Sequence, residues 1–346
     1  MSTLKHLRNQ IASYEKSNLK SSIWQIINTL GPFVFLWFLA YKSLWISYFL
    51  TLAICMIAAA FLIRTFIIFH DCCHQSFFTN KKANVILGTI TGVLTLVPFE
   101  QWKHSHSIHH ATSGNLDKRG TGDVWAMTVN EYKEASSITK FLYRLYRNPF
   151  VMFVLGPIYI FLIAYRFNTK NARKKERMNT YLTNFLIVGL VGILCLVIRW
   201  KNFLLIQGPI FLISGSLGIW LFYVQHQFED SYFEPQKEWK YIKAALEGSS
   251  YYKLPKILQW ITGNIGFHHI HHLSPRVPNY YLEDVYKNHA PLQKVPTITL
   301  STSLESLKFR LWNEESKTFV SFNDAKRLER EKSKETELTS PLKTES

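Results

Sequence analysis

The sequence predicts an all-α integral membrane protein. About four transmembrane helices form two hairpins, with six spans as the upper bound, beside two membrane-associated segments that do not cross and a cytoplasmic helical cap. Three observations carry this expectation. Of 346 residues, 47% are apolar and 18% charged, far more buriable surface than a disordered chain offers. The apolar residues gather in runs of 16 to 26 residues, close to the roughly 20 that a ~30 Å hydrocarbon core requires of a helix. Finally, the net charge of +16 is uneven: residues 1–226 carry +15 and residues 227–346 only +1. Nucleic-acid binding would fit the total but not the distribution. The excess lies in short loops between apolar runs, the pattern that marks the cytoplasmic side of membrane proteins.

Residues 1–22 are polar and read as a cytoplasmic lead-in. Residues 23–41 and 44–69 form the first hairpin. The second run contains one charge, Arg64, placed where its head group would snorkel to the interface. Residues 84–99 and 149–165 are shorter, at 16 and 17 residues, and basic on both flanks. Lys81, Lys82 and Lys103 bracket the first; Lys140, Arg144, Arg147 and the cluster at 173–177 bracket the second. Both therefore read as re-entrant or interfacial. Residues 181–198 and 203–225 form the second hairpin. Loop charge places Lys82, Lys140, Lys175 and everything after Gln225 in the cytoplasm, with Lys42 and Lys201 outside. One membrane domain spans 23–323, and the charged stretch 324–346 is predicted to be disordered. Cys55, Cys72, Cys73 and Cys195 are too scattered for a disulfide framework.

Thirteen histidines occur, and their spacing is the strongest signal in the chain. His70 and His74 form H-x-x-x-H at the end of the second run. His106, His109 and His110 form H-x-x-H-H, a pattern repeated by His268, His271 and His272. On a helix, residues i, i+3 and i+4 project about one turn apart from a shared side, so each box presents two or three imidazoles together. Imidazole suits iron, zinc and copper. Eight such nitrogens exceed what one tetrahedral zinc can use, which points to two metals. His226, just past the last apolar run, is a ninth candidate on the same side. His104 and His269 fall between box positions and read as non-ligands, and His6 and His289 as surface or satisfied residues. All boxes reach one side of the membrane in the topology drawn from loop charge. No acidic residue lies in a span, which disfavours a transporter.

The boxes, with Trp102-Lys-His-Ser leading into the second, resemble those of the membrane fatty acid desaturases. So do the stretches FHDCCHQSFF, FYVQHQFEDSYFE and GNIGFHHIHHLSPRVPNYYL. The resemblance runs from about residue 20 to 322 and is nearest to the acyl-lipid Δ5 desaturases of bacilli. It implies an enzyme of the bacterial cytoplasmic membrane that inserts a cis double bond into phospholipid acyl chains. It also implies two non-haem irons, held by His70, His74, His106, His109, His110, His226, His268, His271 and His272, with O₂ as co-substrate. Iron fits where zinc does not, because zinc has no redox chemistry. One departure stands out: Phe222 occupies the position, one turn before His226, where some animal relatives carry an Asn. Asp71 and Asp117 are candidates to orient ligand imidazoles; Cys72 and Cys73 read as packing residues. The chain has no haem or ferredoxin cysteine motif, so the electron donor is expected to be external, a ferredoxin or flavodoxin. Lys81, Lys82, Lys174 and Lys175 are candidates to meet such a donor or anionic lipid. The alternatives are a histidine-box hydroxylase and a non-catalytic membrane metal or redox sensor.

Overall fold

The computed structural model describes residue 7 and residues 9–339, with side chains through 331. Among the described residues, four helices are long and apolar enough to cross a membrane: α1 (Leu19–Ser43), α2 (Tyr48–Cys73), α6 (Lys174–Ile198) and α7 (Trp200–Val224). They pair as two hairpins, and α2 also packs on α7. Phe33, Leu62, Phe203 and Ile206 share one core between the hairpins. The second hairpin turns at a single residue, Arg199, with φ at +69°. Its first helix starts inside the basic cluster: Glu176 accepts from the Arg173 backbone N–H and side chain and caps the end.

Both shorter segments bend. α3 (Lys81–Leu94) has 14 residues, about 21 Å at 1.5 Å per residue, and turns by 100° into α4 (Phe99–Thr112). Leu96, at φ +62°, lies in that turn. The amphipathic helix α5 (Ser137–Tyr146) meets residues 151–166 at 63°. There the chain runs through Gly156-Pro157 without a turn, as two π-helical stretches, Val151–Leu155 and Ile158–Ile163. Proline removes a donor and crowds the preceding turn, and the wider π-helix accommodates it. Gly215 of α7 admits Pro157: a Cβ there would lie 2.9 Å from the proline Cβ.

Beyond the spans, the polar end is built from α4, α5, α8 (Tyr241–Glu247), α9 (Lys256–Ile261), α10 (His268–Leu273) and two small sheets. β1 (Tyr251–Lys253) pairs in parallel with β2 (Thr297–Thr299), and β3 (Leu311–Asn313) pairs antiparallel with β4 (Thr318–Val320).

The stretch expected to be disordered begins inside a helix, α11 (Phe322–Thr339). Composition misses its anchors, Ser321 and Asp324 exchanging hydrogen bonds at the start and Ala325 buried against Leu311 and Met127. Residues 340–346 lie outside the described residues. Arg64 does not snorkel. It is buried, donates to Thr29 Oγ1 at 3.0 Å and to the Trp260 carbonyl at the end of α9, and lies over the Trp260 ring.

Candidate metal centre

His70 is in the last turn of α2 and His74 caps it, so i, i+4 spacing aims both rings the same way. α4 carries His106, His109 and His110, and α10 carries His268, His271 and His272. His226 follows α7 by two residues. Nine imidazoles converge in two groups: His70, His74, His106, His110 and His271 in one, and His109, His226, His268 and His272 in the other. Within each group the candidate ligand atoms lie within 4.8 Å of one another.

The division follows helix geometry. In each H-x-x-H-H box the i and i+4 rings go to one group and the i+3 ring to the other. The box on α4 gives its pair to the five-imidazole group and His109 to the four-imidazole group. The box on α10 does the reverse, giving His271 alone to the five-imidazole group. The two groups differ at their remaining ligands. One receives the pair His70 and His74; the other receives His226, and the position four residues before it is Phe222. That ring packs 5.1 Å from His109 and 5.4 Å from His226, centroid to centroid.

The donor set fits metal. Nε2–Nε2 distances are 3.1 Å for His70–His106, 3.1 Å for His106–His110 and 3.0 Å for His110–His271. In the second group they are 3.2 Å for His109–His226, 2.9 Å for His226–His268 and 3.2 Å for His268–His272. Metal–nitrogen bonds of ~2.1 Å bring neighbouring ligand nitrogens to about 3 Å, so these edges suit imidazoles that would share one ion. Asp71 Oδ1 lies 3.2 Å from His70 Nδ1 and the Gly248 carbonyl 3.0 Å from His226 Nδ1. With those nitrogens protonated, both Nε2 lone pairs point inward, the arrangement a metal ligand requires. Burial first, and neighbouring imidazoles second, hold His268, His271 and His272 well below the ordinary histidine range. Burial alone pushes His226 down to about 4. All four are therefore neutral at pH 7, the form that binds metal.

The family model for fatty acid desaturase matches residues 43–300, and every one of the nine histidines falls inside that match. The chain belongs to the fatty acid desaturase family. A fatty acid desaturase of Bacillus subtilis (strain 168) is 66% identical over 324 residues, 94% of this chain and 92% of the relative. The omega-3 fatty acid desaturase of the endoplasmic reticulum from Vigna radiata var. radiata is 28% identical, over 64% of this chain and 60% of its own. The sn-1 oleoyl-lipid 12-desaturase of Synechocystis is 25% identical, over 63% of this chain and 62% of its own. This desaturase is thus an oxidoreductase with membrane-spanning helices and two histidine groups able to hold metal.

Sequence reasoning overlooked part of what supports the site. Asp71, 2% exposed, accepts from the Asn279 backbone at 2.7 Å and its side-chain amide at 2.8 Å. Asn279 in turn exchanges hydrogen bonds with Gln25 of α1 at 3.0 and 3.2 Å. An amide inside an apolar run was the available signal for Gln25. Asp117 touches no imidazole; it accepts from the Gln236 backbone at 2.8 Å and staples two loops. Asp123 lines a small cavity with His109, Phe222 and His226, and burial raises its carboxyl above the usual range. Cys72 and Cys73 are buried among Phe69, Phe77 and Phe99.

The other described histidines lie apart from both groups. His269 is fully buried, with Nε2 3.1 Å from the Leu292 carbonyl. His104 is exposed, and its Nδ1 accepts from Arg173 at 3.2 Å. His289 donates to the Val285 carbonyl at 2.8 Å. His6 lies outside the described residues.

Proposed function

We propose that this desaturase inserts a cis double bond, at the Δ5 position, into saturated acyl chains of membrane phospholipids. The observation that carries the reading is the pair of imidazole groups at the ends of helices of spanning length; on this reading a chain entering from the bilayer meets them there. The Synechocystis relative is named for action on an oleoyl-lipid, which supports a lipid-bound substrate. The Δ5 position follows the resemblance of the box sequences to bacillar acyl-lipid desaturases. In net terms a CH₂–CH₂ pair, O₂, two electrons and two protons become CH=CH and two waters.

Each group is proposed to hold one non-haem iron. When bound, the irons supply the redox chemistry that activates O₂, which no side chain here can. The chain's own residues supply position and dryness. Asp71 and the Gly248 carbonyl fix the His70 and His226 rings. The aromatic cluster of Phe66, Phe69 and Trp102 shields the five-imidazole group: Trp102 stacks on His106 at 4.1 Å. Exclusion of water protects a reactive oxidant from side reactions. The histidine boxes are proposed to face the cytoplasm of a bacterial cell, where ferredoxin or flavodoxin supplies electrons.

Expression in a host lacking unsaturated chains, followed by location of double bonds in its phospholipid fatty acids, tests the reading. Double bonds at Δ5 in lipid-bound chains are the expected result. Hydroxylated chains would favour the hydroxylase alternative, and a bond at another carbon would overturn Δ5 alone.

A further inference from the structure

Electrons must reach a centre whose imidazoles are all buried or nearly so, and tunnelling falls steeply with distance. Surface residues that join directly to the ligand-bearing segments offer the shortest way in. Residues 235–243 do so twice. Tyr241 Oη donates to the backbone carbonyl of His272 at 2.7 Å. Trp239 Nε1 donates to the Ser113 carbonyl, just past the α4 box, at 2.9 Å. The two rings lie edge to face, 6.3 Å apart, and both are half-buried. They reach from solvent to the backbones that carry His272 and His110.

The same strip is basic. Lys118, Lys237, Lys240 and Lys243 are exposed. Lys118 and Lys237 flank the contact in which Asn115 and Asp117 hold Gln236. The acids nearby are already engaged: Glu234 and Glu238 with Lys317, and Glu247 with Lys243. Lys118, Lys237 and Lys240 have no acidic partner within ion-pair distance among the described residues. In the basic cluster at the start of α6 two of the four cations are paired, Arg173 with Glu176 and Lys175 with Glu100.

We propose that the strip 235–243, with Lys118 beside it, is the docking surface for an acidic one-electron carrier protein, and that electrons enter through Trp239 and Tyr241 towards the four-imidazole group. This rests on the desaturase reading given above. Each docking oxidises one reduced carrier by one electron. Two dockings supply the two electrons that, with two protons from water, balance the reduction of O₂ and the removal of two hydrogens from the acyl chain. Opposite charge on the carrier steers encounter and sets orientation.

The test measures binding of an oxidised acidic ferredoxin to the metal-loaded protein in lipid nanodiscs, by calorimetry at low and high salt. Lys237→Glu/Lys240→Glu is expected to weaken binding roughly tenfold at low salt and to flatten the salt dependence. Unchanged binding, or an equal loss from Lys81→Glu/Lys82→Glu with none from the strip, overturns the docking surface. Tyr241→Phe keeps the ring and removes the bond to His272. It is expected to slow metal reduction by bound ferredoxin, followed by stopped-flow absorbance, without changing ferredoxin affinity; an unchanged rate overturns the entry path. Photoreduced deazaflavin, which needs no docking surface, separates the two readings. If it drives no double-bond formation in the unaltered protein, the desaturase reading fails whatever ferredoxin does.

Discussion

Asp71 shows how much of this site rests on residues that touch no metal-facing atom. Its carboxylate is buried, with His70 Nδ1 on one oxygen and Asn279 on the other. Asp71→Asn keeps the shape and removes the charge that fixes the ring. Loss of such an outer partner lowers metal affinity roughly 10- to 100-fold, and chelator titration of the purified protein would show one metal released ahead of the other. His271→Ala is expected to abolish double-bond formation. His269→Ala is expected to retain it while losing roughly 1–3 kcal/mol of stability as the Leu292 carbonyl loses its donor. The reverse pattern of activities would show the register on α10 to be wrong. Protons compete with metal for the same nitrogens. His226 titrates near 4 when folded, against an ordinary 6.5, so the unfolded chain binds more protons between those values. Stability of the metal-free protein is full above pH 6.5 and falls as pH drops towards 4. A melting temperature flat across that window would contradict this.

At the scale of elements, the loop at Gly122 decides where α4 can lie. Gly122 has φ +74°, and a Cβ there would be 2.7 Å from the Ser105 carbonyl and 3.1 Å from His109 Cβ. Gly122→Ala is expected to cost roughly 1–3 kcal/mol through backbone strain, and more through the clash, with metal content falling in parallel. Metal analysis beside thermal unfolding checks both. The boxes themselves were legible because imidazoles at i, i+3 and i+4 announce a shared helical side. Their division between two groups was not, since which group an i+3 ring joins depends on where the other helices stand. Gln25 and Asn279 meet across 254 residues, a separation no local pattern encodes. The helix α11 escaped for a related reason: its composition favours solvent, while its start is pinned by tertiary contacts of Ala325.

For the whole molecule, hydropathy and loop charge predicted two hairpins, and four helices of spanning length form them. The side they face remains a prediction with a direct measurement. Single cysteines placed at Lys82, Lys140 and Lys175 should resist a membrane-impermeant reagent in intact cells, and cysteines at Lys42 and Lys201 should react. The background must lack Cys55, Cys72, Cys73 and Cys195. Labelling at Lys175 from outside would overturn the topology. The crossing of ligands between α4 and α10 has a further consequence in time. Both imidazole groups wait for residues 268–272, so a chain emerging from the ribosome holds neither group complete until both hairpins and α8 have been made. Capture of the full set of ligands by either ion therefore comes late in synthesis and comes for both at once. A truncation that stops before α10 leaves two broken sites rather than one intact and one missing.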